Sequence, residues 1–160
     1  MRHYAISPAM IAKKNRSIRY LTRQDIAEIH ADLSEQVLSD GSEPLPDFRY
    51  GKQEAIDALI AAPQQRFYGR GAYPTLAEKA AIIFYMVNRR HIFPNGNKRL
   101  STLCLLTFLI GNDAQLDVSP QELTEKALWL ATAEADEFPA IKAHLVSWIE
   151  GSLIRPAVDK

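Results

Sequence analysis

The 160-residue chain contains one cysteine, Cys104, so no disulfide can form within it, and a reducing compartment suits it. It has no excess of charge: 19 Lys+Arg balance 19 Asp+Glu, which removes support for broad nonspecific binding to nucleic acid or to a membrane surface. It has no long apolar run. The longest, around Leu103–Ile110, falls far short of the roughly 20 residues that span a bilayer. The first twenty residues, basic at Lys13, Lys14, Arg16 and Arg19, lack the apolar stretch of a secretion signal. Internal repeats and low-complexity segments are missing too. These absences leave the expectation of a soluble, cytoplasmic protein with neither nucleic acid nor membrane as partner. The 47% of hydrophobic residues suffices for one domain around one core.

What is present is helical punctuation. Thr22 and Asp25 read as a hydroxyl cap and a first-turn acid, followed by Ile26, Ile29, Leu33 and Val37 at helical spacing up to Asp40-Gly41. Ser42–Tyr50, with Pro44 and Pro46, reads as loop, and Lys52–Ala61 as a short helix closed by Pro63. Thr75 and Glu78 read as a capping box before Leu76, Ala80, Ile83 and Val87. A helix opens near Asn97, is apolar on nearly every side from Leu100 to Ile110, and stops at Gly111-Asn112. Ser119, Pro120 and Glu122 open another, and a last helix carries Phe138, Ile141, Leu145 and Trp148 up to Gly151. The expected fold is all-α: a single helical bundle domain over 20–151, an N-terminal arm over 1–19 with a short strand at Ser17–Tyr20, and a tail over 152–160. Gln64–Tyr73 mixes aromatics, arginines and glycines and reads as a flap or short β-hairpin. Trp129 and Trp148 read as core, Cys104 as an inert buried thiol, and His3, His30 and His144 as surface or packing residues.

Chemistry concentrates in His91-Ile92-Phe93-Pro94-Asn95-Gly96-Asn97-Lys98-Arg99, between two helices. The first N–H groups of a helix lack intrahelical partners and sit at the positive end of its dipole. Gly96 and Asn97 there make a phosphate cradle, because a glycine lets an anion approach the backbone. Arg99 adds a planar fork for phosphate oxygens and Lys98 a point charge. His91, just before the cradle, is a candidate general base. Phe93, the aromatic residue of this loop, is the candidate structural anchor.

This segment resembles the signature of the Fic/Doc family, H-x-F-x-[D/E]-[G/A]-N-[G/K]-R. Tyr20-Leu21-Thr22 with Asp25 and His30, and Tyr73–Ala81, resemble the corresponding regions of the death-on-curing (Doc) toxin-like branch, so the likeness covers roughly residues 20–150. The resemblance implies a Fic/Doc-type bundle in which His91 takes the proton of a target Ser or Thr hydroxyl while Gly96, Asn97, Lys98 and Arg99 hold the phosphates of ATP or another nucleoside triphosphate. Adenylyl-transferring members usually carry Gly where this chain has Lys98. Death-on-curing members carry Lys, which implies transfer of the γ-phosphate, a kinase reaction. Asn95 stands where the family usually has the acid that holds Mg²⁺, and a neutral amide is a weaker ligand. Three readings follow: a protein kinase-type toxin of a toxin–antitoxin pair, an adenylyltransferase, or a nucleotide- or partner-binding module that has lost turnover through Asn95. The implied partners are a protein substrate, with elongation factor Tu or another translation factor as the candidate, and a separate antitoxin. Val146–Gly151 approaches the family's inhibitory motif but has Val146 where Ser or Thr is expected, and it reads as core helix. Gln64–Tyr73 reads equally as a target-holding flap and as an ordinary connection.

Overall fold

Helix α1, Arg23–Asp40, begins with a reciprocal cap: Thr22 Oγ1 accepts from the Asp25 amide, and the Asp25 carboxylate accepts from the Thr22 amide. It ends at Gly41, whose φ of 72° is the left-handed geometry that closes helices. In this computed structural model, which describes residues 17–41, 43–134 and 137–156, five further α-helices follow. They are α2 Gln53–Ala61, α3 Leu76–Arg89, α4 Asn97–Ile110, α5 Pro120–Thr132 and α6 Phe138–Ser152. The expected all-α bundle with a small flap is therefore the fold observed. No helix among the described residues is long and apolar enough to cross a membrane.

Helices α3 and α4 pack along each other at the centre, with α6 against α3, and α1 and α5 against α4. Phe84, Ile83, Leu105 and Phe108 are buried between them. Asn88 ties three helices together: its amide nitrogen, buried on α3, donates to the Ala127 carbonyl of α5 at 3.1 Å and to Ser101 Oγ of α4 at 3.4 Å. Arg89 donates to the Leu130 and Ala133 carbonyls at the C-terminal end of α5, where a cation complements the helix dipole. These contacts lock both ends of the 90–96 loop that carries the candidate site.

The flap is a two-residue hairpin. Strand β1, Arg66–Phe67, pairs antiparallel with β2, Arg70–Gly71. Tyr68 and Gly69 at its tip have φ of 51° and 79°, the two positive values a tight hairpin turn requires.

Several local expectations are corrected. Ser17–Tyr20 forms no strand, because the Asn112 side chain takes both backbone groups of Arg19, at 2.8 and 2.9 Å, where a strand partner would sit. The rest of the arm, residues 1–16 with His3, lies outside the described residues. Thr75 caps α3, but the Glu78 carboxylate turns to Thr75 Oγ1 and to Lys142 at 3.4 Å, so the box is half-formed. Helix α6 runs one residue past Gly151, and Leu153–Ile154, strand β4, then pairs with β3, Gln115–Leu116. Trp129 is 36% exposed rather than core. It stacks on His144 with ring centroids 4.1 Å apart, on the outer side of α5 and α6.

Candidate functional site

The loop from α3 to α4 is shaped by three side chains. His91 terminates α3 in the left-handed region, with φ of 48°, and its side chain is exposed. Phe93 is buried, its ring pressed on Gly51: a Cβ on Gly51 would stand 2.5 Å from Phe93 Cε1, so only glycine fits beneath it. Asn97 closes the loop from the other end. Its Oδ1 accepts from the Phe93 amide at 3.1 Å and its Nδ2 donates to the Phe93 carbonyl at 2.6 Å. The Ile92 carbonyl also accepts from the Lys52 amide at 2.9 Å, which fixes the loop against the start of α2.

Gly96 has φ of 83° and precedes α4 without any side-chain cap. The first bond of that helix runs from the Leu100 amide to the Gly96 carbonyl, at 2.9 Å, so the amides of Asn97, Lys98 and Arg99 lie before it, at the positive end of the helix. Asn95, Gly96, Lys98 and Arg99 line one cleft of about 340 Å³, together with Glu43, Leu45 and Thr102. Leu45 lies over Gly96, its Cδ2 2.5 Å from where a Cβ would be, and Asn95 Nδ2 donates to the Pro44 carbonyl at 3.4 Å. The 43–45 segment thus forms one wall of the cleft. Arg99 faces Asp40 at 4.0 Å, both side chains more than half exposed. A pair so exposed holds its partner weakly, and an anion of higher charge displaces it readily.

The structure therefore brings Asn95, Gly96, Lys98 and Arg99 into one cleft. It turns the Asn97 side chain inward as the loop's clamp, and Asn97 is not among the residues that line the cleft. His91 does not line that cleft. In chain order it stands between Arg90, which lines a second cavity, and Asn95, which lines the first. Sequence reasoning missed Glu43 and Leu45, which line the cleft from across the chain, and Asp40, which pairs with Arg99. For a divalent cation the protein donors are thin: the Asn95 Oδ1 and Glu43, the sole carboxylate lining the cleft among the described residues. No group of three or more His, Cys, Asp or Glu side chains able to hold a metal exists among the described residues. Such a set suits a cation that arrives with phosphates, not a resident metal. Cys104 is fully buried, and burial pushes its thiol up to about 12, as an inert core thiol requires.

Beneath the loop, His30 is 4% exposed and its ring lies 4.6 Å from that of Phe93, with Phe48 beside both. Its Nε2 has no hydrogen-bond partner among the described residues. Burial holds its pKa below the ordinary 6.5, while Asp47 and the Pro46 backbone pull upward. Below pH 6.5 the unfolded chain takes up a proton that the folded state refuses, so this stabilisation is present above that pH and is lost as the pH falls through it. Melting temperature measured from pH 7.5 down to 5.5 should fall more steeply in the wild type than in His30→Leu. His144, also depressed by burial and then by Lys126, contributes a residual slope of the same sign to both proteins. Equal slopes would remove His30 from the account.

Comparison with known proteins adds three findings. The family model described as Fic/DOC family matches residues 20–109. The protein named Toxin Doc from Mycolicibacterium smegmatis (strain ATCC 700084 / mc(2)155) is 43% identical over 61 residues, which are 38% of this chain and 47% of that protein, so the match spans about half of the relative's length. No solved structure matches the chain.

Proposed function

Since the chain belongs to the Fic/DOC family, we propose that it is a toxin-type protein-modifying transferase that moves the γ-phosphate of ATP, or of another nucleoside triphosphate, onto a Ser or Thr hydroxyl of a cytoplasmic protein. The observation that carries this reading is the cleft itself: Lys98 and Arg99 line it, with Gly96, at the N-terminus of α4, where no side chain caps the helix, so two cations meet the positive end of a helix dipole at one space. An imidazole nitrogen of His91 takes the proton of the target hydroxyl. The freed oxygen attacks the γ-phosphorus, the bond from that phosphorus to the β–γ bridging oxygen breaks, and the nucleoside diphosphate leaves. Arg99, Lys98 and the amides stabilise the charge spread over the transferring group. Mg²⁺, held by the Asn95 Oδ1 and Glu43, would neutralise phosphate charge when bound. A translation factor such as elongation factor Tu as target, and a separate antitoxin, belong to the same proposal.

Two further readings rest on single residues. Adenylyl transfer would use the same cradle with the nucleotide reversed, and Lys98 speaks against it. A module without turnover would follow from the neutral Asn95. One experiment separates the three. The protein is incubated with cell lysate, Mg²⁺ and ATP labelled at the α or the γ position. Label in protein from γ alone is the expected result, and label from α alone overturns the kinase reading. Asn95→Asp, which restores a carboxylate at nearly constant volume, should raise transfer by at least roughly tenfold, about 1.4 kcal/mol in the barrier. Nucleotide binding with no label from either the wild type or this variant would leave the binding module.

A further inference from the structure

We propose that Asn88 and Ser101, buried behind the phosphate cleft, are positioning residues: together they tie α5 to the head of α4, so that the cleft grips a polyphosphate chain at two points at once. The assignment rests on the part of the transferase reading that puts phosphates in this cleft.

Thr22, Thr75 and Ser119 cap α1, α3 and α5 through their hydroxyls, whereas Gly96 gives α4 no side-chain cap. The missing cap leaves the first turn of α4 open to an anion and also without the usual brace. The brace comes from behind. Ser101, fully buried three residues after Lys98, donates from its Oγ to the Lys98 carbonyl at 2.6 Å. The same Oγ accepts from Asn88 Nδ2 of α3 at 3.4 Å. The second proton of that amide goes to the Ala127 carbonyl of α5 at 3.1 Å. Lys98 and Ala127 both line the cleft, and Thr124 and Leu128 line it beside Ala127. One amide nitrogen thus reaches two sides of the cleft, through α5 directly and through Ser101 to the head of α4. Neither Asn88 nor Ser101 lines the space itself.

The bonding of Asn88 shows what the amide is for. The residue is 4% exposed, and its Oδ1 has no hydrogen-bond partner among the described residues. A buried acceptor left unpaired is destabilising. A leucine, with the same branched outline, would remove that acceptor and orphan nothing: the Ala127 carbonyl keeps its place within α5, and Ser101 Oγ keeps the Lys98 carbonyl. Stability alone therefore does not call for an amide at 88. What the amide supplies and leucine lacks is a directed link, in which donors run from Asn88 through Ser101 to Lys98 and each bond polarises the next. The cleft needs such a link because its cations are long and loosely held. Arg99 meets only the exposed Asp40 at 4.0 Å. Two flexible cations hold one anion chain together at low entropic cost only when the backbone they spring from is fixed.

The test is binding of inorganic tripolyphosphate, by calorimetry, and of orthophosphate, by phosphorus NMR titration, to the full chain at a temperature where circular dichroism shows each variant folded. Ser101→Ala and Asn88→Leu should each bind tripolyphosphate about tenfold more weakly than the wild type. Orthophosphate, which one cation can hold, should change by less than about twofold. Ser101→Thr keeps the hydroxyl and should restore the wild-type affinity. A purely structural role moves none of these, because a folded chain would bind both anions as before. Wild-type affinity for tripolyphosphate in Ser101→Ala overturns the proposal, as does an equal loss for both anions. So does a Ser101→Thr protein as weak as Ser101→Ala, since packing rather than the hydroxyl would then carry the effect. Should Asn88→Leu fail to fold, the two Ser101 variants decide. Label transfer is no part of the readout. A chain that shows these differences but labels no protein loses the transferase reading and keeps Asn88 and Ser101 as the brace of an anion site. A chain that labels protein while both variants bind as the wild type loses the brace alone, and a wild type that binds no tripolyphosphate loses both.

Discussion

Replacing His91 with asparagine should lower label transfer by about 10²–10⁴, or 2.7–5.4 kcal/mol in the barrier, with little change in nucleotide affinity or melting temperature. The structure makes the separation of these effects sharp. The imidazole is exposed and does not line the cleft where Asn95, Gly96, Lys98 and Arg99 meet, so the proposed phosphate grip does not depend on it. The backbone there has φ of 48°. Asparagine tolerates that left-handed geometry better than most residues, which makes it a cleaner replacement than alanine, and its amide cannot act as a base near neutral pH. Arg99→Ala should do the opposite. It removes a cation from the cleft and should weaken nucleotide binding directly, measured by titration without any acceptor protein. A His91→Asn protein that transfers at the wild-type rate would take the base away from His91 and leave the cleft a binding site.

Much of this architecture is legible in the sequence because its signals are local. Thr22, Thr75 and Ser119 cap α1, α3 and α5 through their hydroxyls, and each stands directly before an amphipathic run. The cleft residues Asn95, Gly96, Lys98 and Arg99 are nearly contiguous, so one loop and one helix start place them together. What the sequence hides is contact across the chain. Nothing near Gly51 announces that a phenyl ring forty-two residues later will rest on its Cα, and nothing near Leu45 or Glu43 marks them as a cleft wall. Asn97 shows the difference within one residue. Its position at the head of α4 is readable, but its side chain's return to the Phe93 backbone depends on the loop's folded path. The β3–β4 pair is two residues long on each side, too short for any alternation of apolar and polar residues to reveal. Trp129 follows helical spacing yet faces outward, because α6 offers it His144 rather than a core position.

The anchor beneath the site should show the largest effect on stability. Phe93 is 3% exposed and its ring is enclosed by Gly51, His30 and Phe48. Phe93→Ala should cost about 3–5 kcal/mol through lost transfer energy and the cavity left behind. For a chain of this size that corresponds to a fall of about 6–20 °C in melting temperature. Gly51→Ala should destabilise for the opposite reason, by about 1–3 kcal/mol, because its methyl would lie 2.5 Å from the Phe93 ring. The two changes compensate: the methyl that clashes with phenylalanine enters the space that alanine vacates. The double variant should therefore be more stable than the sum of the single losses predicts, by at least about 0.5 kcal/mol. Denaturant unfolding of the four proteins closes the cycle. Strict additivity would mean that Phe93 and Gly51 do not share one packed site, and that the loop bearing His91 and Asn95 is held mainly by Asn97 and the Ile92–Lys52 bond.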